Sequence, residues 1–351
     1  MTDQLVDRWG GGSKRTYSMG DMEPSVLDGV VLPPRDEHFV RRHGGNGRPY
    51  VRVRMGDVIL ETEVTYSRCT TFIKCIDRSE ALDRWQQRRA MEGFSLATDE
   101  LQALVVSAQD DREKMNGVWL RALDFGGAKR LAEMGTAAHR VAEWYDLGQM
   151  PPVVPERYQT ALRGWIAATR YFRWTHIEKF MVHDELKVAG TPDRIGEYLP
   201  CPNCGCRYFI VDLKTGRVDE YTELQQAMQF GIYANSAFYN VRTGERIEQN
   251  NICRCRGIAV KVDILTGEYI TYWVDIHTGY RVAHDLAPQV QSALKEKGLL
   301  VPFEPEPNID VLIMTAESRT ELRQIYARHR DLWTPAHTEA GSARLKELGE
   351  G

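Results

Sequence analysis

The chain has 351 residues, 42% of them apolar, enough for one large domain or two ordinary ones with a sizeable core. Its 45 Lys and Arg against 49 Asp and Glu give a formal net charge of −4. That balance excludes a uniformly basic coat, although local patches and bound metal ions can still hold phosphate.

No apolar run reaches the length of a membrane helix, and the opening Met1-Thr2-Asp3-Gln4 lacks the basic-then-apolar layout of a signal peptide. The expectation is therefore a cytoplasmic protein with no membrane association. In that compartment thiols stay reduced, so the seven cysteines read as metal ligands or buried small residues rather than disulfides.

Residues 1 to about 35 are rich in Gly, Asp and Pro, without a clear period, and read as a loosely attached leader. Arg41, Arg42, Arg48, Arg52 and Arg54 follow with no acid among them, either a phosphate-tracking patch or a solvated turn and edge strand. The alternation of Val51, Val53 and Met55 predicts a strand within Tyr50 to Val64, and Ser79 to Met91 predicts a capped helix around Leu82 and Trp85. Further helices are expected near 98–108, 111–122 and 127–147, then at 155–171 after the break made by Pro151, Pro152 and Pro155.

Between about 178 and 276 the pattern changes to three strands, a Cys-bearing turn, one long helix from Glu220 to Tyr239, and strands at Ile258–Val262 and Tyr269–Val274. The tail carries Pro302, Pro305 and Pro307, a helix near 316–332, and an end polar enough to fray. These elements give three regions: a leader and N-terminal strand (1–60), a mixed α/β domain (61–276) and a helical extension (277–351).

The chemistry concentrates in the middle region. In Tyr208–Lys214 a period of two puts Ile210, Asp212 and Lys214 on one face and Phe209, Val211 and Leu213 on the other. An acid and a lysine at the end of an apolar strand are costly to half-bury without compensation. Upstream, Gly190-Thr191-Pro192-Asp193-Arg194-Ile195 interrupts another strand with a carboxylate. If the two strands are antiparallel neighbours, the acids meet, and a hard cation such as Mg²⁺ or Mn²⁺ relieves their repulsion. Gly135-Thr136-Ala137-Ala138-His139 offers an imidazole from a helix whose small residues allow close approach to the sheet. Gln225, Gln229 and Tyr233 share one helical face.

In this order, G-x-x-x-H, G-T-P-D-R-I, V-D-L-K-T-G and Q-x-x-x-Y resemble the RecB-like branch of the PD-(D/E)XK nucleases. That branch includes the nuclease domains of recombination enzymes, CRISPR-associated adaptation exonucleases and stand-alone phage proteins. The resemblance covers roughly residues 61–276 and is dense between 135 and 233. It implies a restriction-endonuclease-like core: a mixed central sheet flanked by helices, with the helical stretch 79–171 as a lid. It also implies a metal-dependent DNA exonuclease of recombination, repair or phage DNA metabolism. Carried over by position, His139, Asp193 and Asp212, with the main-chain carbonyl of Leu213, correspond to the metal ligands. Lys214 corresponds to the catalytic lysine, Gln229 and Tyr233 to the pair on the following helix, and Gln225 or Gln226 to an accessory. A family acid ahead of the aspartate strand corresponds to Glu178 or to its rival Glu185. A protein that keeps this fold only to bind DNA or a partner, and an endonuclease on the same core, are the two rival readings.

Cys201-Pro202-Asn203-Cys204-Gly205-Cys206 carries the C-x-x-C-G form of a zinc knuckle, and Cys253 and Cys255 come just before the Ile258 strand. If that strand runs parallel to the Asp212 strand, these thiols lie at one sheet end. The expectation is a structural Zn²⁺ on Cys201, Cys204 and two of Cys206, Cys253 and Cys255. Relatives with an iron–sulfur cluster place one cysteine before the core and three after it, a layout this chain does not match. Cys69 and Cys75 read as buried thiols, and their place upstream keeps an iron–sulfur cluster as the alternative to zinc.

Overall fold

The computed structural model describes residues 26–45, 47–76, 80–215, 223–297 and 306–350. Most of the expected leader, up to residue 25, lies outside the described residues, as do Ser79 and the expected start of a helix at Glu220. The chain forms two compact units, Met1–Leu294 and Lys295–Gly351. The segment from Ile276 to Leu294 belongs to the first unit. The physical reason is that Ile276, Ala283 and Ala287 are fully buried in the main core of the first unit.

The first unit is mixed α/β. Its strands in chain order are β1 (Val26–Leu27), β2 (Val30–Val31), β3 (Tyr50–Met55), β4 (Val58–Thr65), β5 (Ser67–Arg68), β6 (Arg173–Ile177), β7 (Met181–His183), β8 (Val188–Gly190) and β9 (Arg194–Glu197). They continue with β10 (Tyr208–Lys214), β11 (Ala237–Tyr239), β12 (Arg246–Ile247), β13 (Arg256–Val262) and β14 (Tyr269–Asp275). A five-stranded mixed sheet has the order β14-β13-β10-β9-β6, with β10 parallel to β13 and its other pairs antiparallel. A second, of order β12-β11-β7-β8-β5, is also mixed, because β5 runs parallel to β8.

The alternation in β10 places its side chains as expected. Ile210 enters one core layer with Met228, Phe230 and Tyr233 of the helix Glu223–Ala234. Phe209, Val211 and Leu213 enter the opposite layer with Trp165 and Ala142. That second layer is supplied by the helices Ala128–Asp146 and Glu156–Thr169. The sheet is thus covered on both faces, which suits the near-continuous apolar character of β10 and β13.

Several expected elements differ in extent. Tyr50 to Val64 is a hairpin, since Gly56 at φ 61° turns the chain between β3 and β4. Five short strands occupy 173–214 where fewer were expected, separated by turns at Glu178 (φ 50°) and Lys187 (φ 51°). The helix expected to reach Tyr239 stops at Ala234. Asn235 and Ser236 donate their side chains back to the carbonyls of Gly231 and Ile232, and Ala237-Phe238-Tyr239 pairs with β7 instead.

The helices Glu80–Leu96, Thr98–Ser107 and Arg112–Phe125 enclose their own apolar cluster around Leu101, Val118 and Ala122. Asp111 caps the third by accepting from the N–H groups of Glu113 and Lys114. The expected lid stretch thus divides: these three helices form a separate layer, whereas Ala128–Asp146 and Glu156–Thr169 are part of the core.

Among its described residues the second unit has the α-helices Ile309–Thr315, Arg319–Arg328 and Pro335–Glu347 around Ile313, Leu322 and Ile325. The helix expected near 316–332 is Arg319–Arg328, which Ser318 caps at its start. The helix Pro335–Glu347 near the chain's end is closed at its start by a capping box between Thr334 and His337. No helix among the described residues is long and apolar enough to cross a membrane.

Candidate functional site

The carboxyl end of β10 and the start of β9 meet through their antiparallel register, Val211 opposite Arg194. Asp193 thereby sits beside the Asp212-Leu213-Lys214 segment, and its Oδ2 accepts the Leu213 N–H at 3.0 Å. The same oxygen lies 3.2 Å from Nδ1 of His139, presented by the helix Ala128–Asp146. That helix comes close because of Gly135, where a Cβ would stand 3.0 Å from Oγ1 of Thr215. On the neighbouring strand, Nζ of Lys214 lies 2.6 Å from Oδ2 of Asp212. The two side chains form a close ion pair.

The charges are strongly interdependent. Burial raises the Asp212 pKa, and the nearby Asp193 charge raises it further. Burial also opposes ionisation of Asp193, but the His139 charge and hydrogen bond, with Arg194 and Lys214, outweigh it and leave its pKa depressed. Burial pulls His139 and Lys214 down as bases; the carboxylates of Asp193 and Asp212 more than reverse this, so both pKa values are raised.

Glu178 adjoins the same centre, its backbone N–H donating to the Asp193 carbonyl at 3.0 Å. Its carboxylate approaches Arg35 at 3.4 Å and Arg194 at 3.8 Å. Burial, reinforced by Asp193, pushes the Glu178 pKa up to about 8. Its rival Glu185 is remote from this network: it is exposed and pairs with His284 at 2.9 Å. Of the two acids, Glu178 is the one that adjoins Asp193.

On the helix Glu223–Ala234, Gln229 Nε2 lies 3.5 Å from the Tyr233 hydroxyl, as their spacing of four requires. Tyr233 is buried, and its hydroxyl would be 2.6 Å from a Cβ at Gly190, so this glycine makes room for the ring. Gln225 is half-buried one turn earlier, and Gln226 is buried with an Nε2 that has no partner.

Sequence reasoning missed the scaffold behind the acids. Arg194, fully buried, donates through Nε to Asp146 at 2.6 Å and through Nη1 to the Asp193 carbonyl at 3.0 Å. Arg35 grips Glu143 with two contacts of 2.7 Å. The signal was present in the unexplained arginine of G-T-P-D-R-I, since a charged residue in an apolar strand requires a partner. The Arg41–Arg54 patch is substantially neutralised by its own hairpin: Arg42 pairs with Glu63, Arg52 with Glu61 and Arg54 with Asp57.

The side-chain nitrogen and oxygen atoms of His139, Asp193 and Asp212 are not all within 4.8 Å of one another. Among the described residues, one group of three or more meets that distance: Cys201, Cys204, Cys253 and Cys255. Cys201 and Cys204 come from the β9–β10 turn, where Gly205 at φ 73° lets Cys201 N–H bond the Cys206 carbonyl. Cys253 and Cys255 arrive because β13 lies parallel to β10, and the Cys253 N–H donates to the Tyr208 carbonyl at 2.7 Å. The Sγ atoms of Cys204 and Cys253 are 3.5 Å apart, and the Arg256 N–H points at Cys253 Sγ. These four thiols could bind a metal such as zinc. Cys206, the fifth candidate, stays outside the quartet. Cys69 is buried, as expected, and Cys75 is half-buried.

No family model and no curated protein matches the chain.

Proposed function

We propose that the chain is a metal-dependent DNA nuclease of the RecB-like PD-(D/E)XK type, acting as an exonuclease. The observation that carries the reading is the contact of Asp193 with the Leu213 N–H beside the Asp212–Lys214 pair, with His139 closing the group. The topology supports it too. A mixed sheet with helices on both faces is in keeping with the core that the resemblance implies.

The donor set fits a hard divalent cation, Mg²⁺ or Mn²⁺: two buried carboxylates in mutual repulsion, with the imidazole of His139 favouring Mn²⁺. Asp193, Asp212, His139 and the Leu213 carbonyl would hold it. When bound, the cation polarises the scissile phosphodiester and offsets charge building on its oxygens. Lys214, kept protonated by the two acids, orients the attacking water. Gln229 and Tyr233 supply polar groups that hold a phosphate oxygen or Lys214 in place. Arg194 fixes the Asp193 backbone from behind, so the carboxylate is placed before substrate arrives.

Linear and circular DNA, each incubated with Mn²⁺ or Mg²⁺, test the reading. Loss of linear DNA alone is the expected result, and Asp212→Asn should abolish it. Cleavage of circles would instead make the protein an endonuclease, and cleavage of neither would leave a DNA-binding or partner-docking role.

The thiol quartet is assigned a structural Zn²⁺ on Cys201, Cys204, Cys253 and Cys255. A single ion bonded to four thiolates at about 2.3 Å brings the sulfurs into mutual contact, in keeping with their compact grouping. An iron–sulfur cluster interposes several atoms and needs its cysteines further apart.

A further inference from the structure

We propose that a groove at the other end of the five-stranded sheet, beside the cysteine turn, binds single-stranded nucleic acid through Tyr171, Arg173, Tyr198 and Arg207. The inference deepens the nuclease reading by naming the form of substrate the chain holds, and it rests on that reading only for the purpose of the binding.

The groove has a volume of about 550 Å³ and is lined by Tyr171, Arg173, Glu197, Tyr198, Leu199 and Arg207. That size lies within the range of small-ligand sites. Its location follows from the register of the sheet. Glu197 of β9 stands opposite Tyr208 of β10 and Arg173 of β6, so the arginines flanking this sheet end converge. Glu197 pairs with both Arg173 and Arg207, which fixes two guanidinium groups on the wall. Arg173 remains 73% exposed and Arg207 54%, so donors not used on Glu197 face solvent. Arg170 adds a third cation, lying 4.7 Å over the ring of Tyr171. Three arginines against one glutamate give the site a net positive charge.

The aromatic groups select the ligand. Trp165 stacks on Trp174 at 5.7 Å, Trp174 on Phe172 at 5.5 Å and Phe172 on Tyr198 at 4.6 Å, all within 15° of parallel. This ladder runs from a buried tryptophan to the half-exposed Tyr198 in the groove, giving the outermost ring a rigid backing. Tyr171 is 68% exposed, a large ring left in water beside arginines. Rigid ring faces interleaved with guanidinium groups match a chain that alternates flat bases with phosphates. The bases must be unstacked to use those rings, which favours a single strand over a duplex. Along β10, Tyr208 is about 13 Å from Asp212 at the usual rise per residue, so a strand seated here lies within a few nucleotides of the acidic centre.

The test is fluorescence anisotropy of the full chain with a labelled oligothymidine of about 15 nucleotides, titrated over a range of KCl without Mg²⁺ or Mn²⁺ so that nothing is cut. The wild type should bind this strand more tightly than a duplex of equal length. Tyr171→Ala should weaken binding about tenfold with the salt slope unchanged, and Tyr171→Trp should restore it. The double variant Arg173→Ala/Arg207→Ala should weaken binding and reduce the slope of log K against log salt by about 1.4. All three positions are exposed, and an unaltered unfolding midpoint confirms that each variant folds.

Affinity indifferent to both variants overturns the proposal, as does a preference for duplex. Loss confined to the arginine variant also overturns it, because a merely anionic partner such as an acidic peptide would do that. Cleavage is not read, so a chain that binds here but cuts nothing fails only the nuclease reading. A chain that cuts DNA but ignores these residues fails only this proposal.

Discussion

Nζ of Lys214 lies 2.6 Å from Oδ2 of Asp212, two residues back on the same face of β10. The pair is mostly enclosed, and the Asp193 charge nearby helps keep Lys214 an ammonium. Its proposed work is orienting water as a fixed cationic donor, and losing one such preorganised group costs about 10²–10³-fold. Lys214→Ala should lower single-turnover cleavage by that factor while DNA affinity changes little. Undiminished cleavage by purified Lys214→Ala would remove the lysine from the mechanism.

Metal uptake should be steeply pH-dependent. The pKa of His139 is raised above its ordinary 6.5 in the metal-free protein, chiefly because the Asp193 charge overcomes the effect of burial. An imidazole must lose its proton to ligate, so binding competes with protonation and strengthens as pH rises past that value. Calorimetry with Mn²⁺ should show affinity increasing from acid to alkaline pH with proton release. In His139→Asn both the increase and the release should shrink; an unchanged profile would exclude His139 as a ligand.

Glu178 should make the metal-free fold less stable at higher pH. Burial and the Asp193 charge push its pKa from 4.5 to about 8, so the folded state holds a proton that the unfolded chain releases. Between those values the native state binds more protons, and stability falls as pH rises. The favourable contribution is complete below about 4.5 and is lost by the time pH passes about 8. Urea unfolding across this window should show the decline in the wild type and a flatter profile in Glu178→Gln. Equal slopes would show that Glu178 is ionised in the fold.

The acidic strand was legible because two independent signals coincided: the strict alternation of β10, and carboxylates where apolar residues belong. The parallel pairing of β10 with β13 followed from one intervening helix, and with it the approach of Cys253 and Cys255 to Cys201 and Cys204. What stayed hidden depends on side-chain geometry with no period in sequence. Asp146 looks like an ordinary helix-end acid until β9 brings Arg194 against it. The approach of Glu178, rather than Glu185, to Asp193 needed the left-handed turn at Glu178, which places its N–H on the Asp193 carbonyl. Cys206 could not be separated from its neighbours by spacing alone. The three-residue strands β7, β8 and β11 were too short for their alternation to register.

The quartet makes a selective prediction about the seven cysteines. Protein purified anaerobically should carry about one Zn²⁺ per chain, as four thiolates imply. Cys204→Ser and Cys253→Ser should each lose it and lower the unfolding midpoint, because a metal on this quartet would tie the β9–β10 turn to the segment before β13. Cys206→Ser should retain it. Iron with acid-labile sulfide would replace zinc by a cluster, and metal loss in Cys206→Ser would exchange one member of the quartet.

Arg194 and Asp146 form an ion pair with both side chains wholly removed from water, at 2.6 Å. Burial raises the pKa of Asp146 even with the guanidinium beside it, so the desolvation cost consumes much of the attraction. Removing one partner leaves the other charge stranded, and Asp146→Ala should cost about 3–5 kcal/mol in chemical unfolding. The double variant Asp146→Leu/Arg194→Met strands no charge and should recover most of that loss, apart from the acceptor that Trp165 Nε1 finds on Asp146. Cleavage should not recover with stability, because Arg194 also donates to the Asp193 carbonyl. A double variant as active as the wild type would show that this arginine only fills space, whereas a stable and inactive one would establish it as the residue that positions the metal-binding acid.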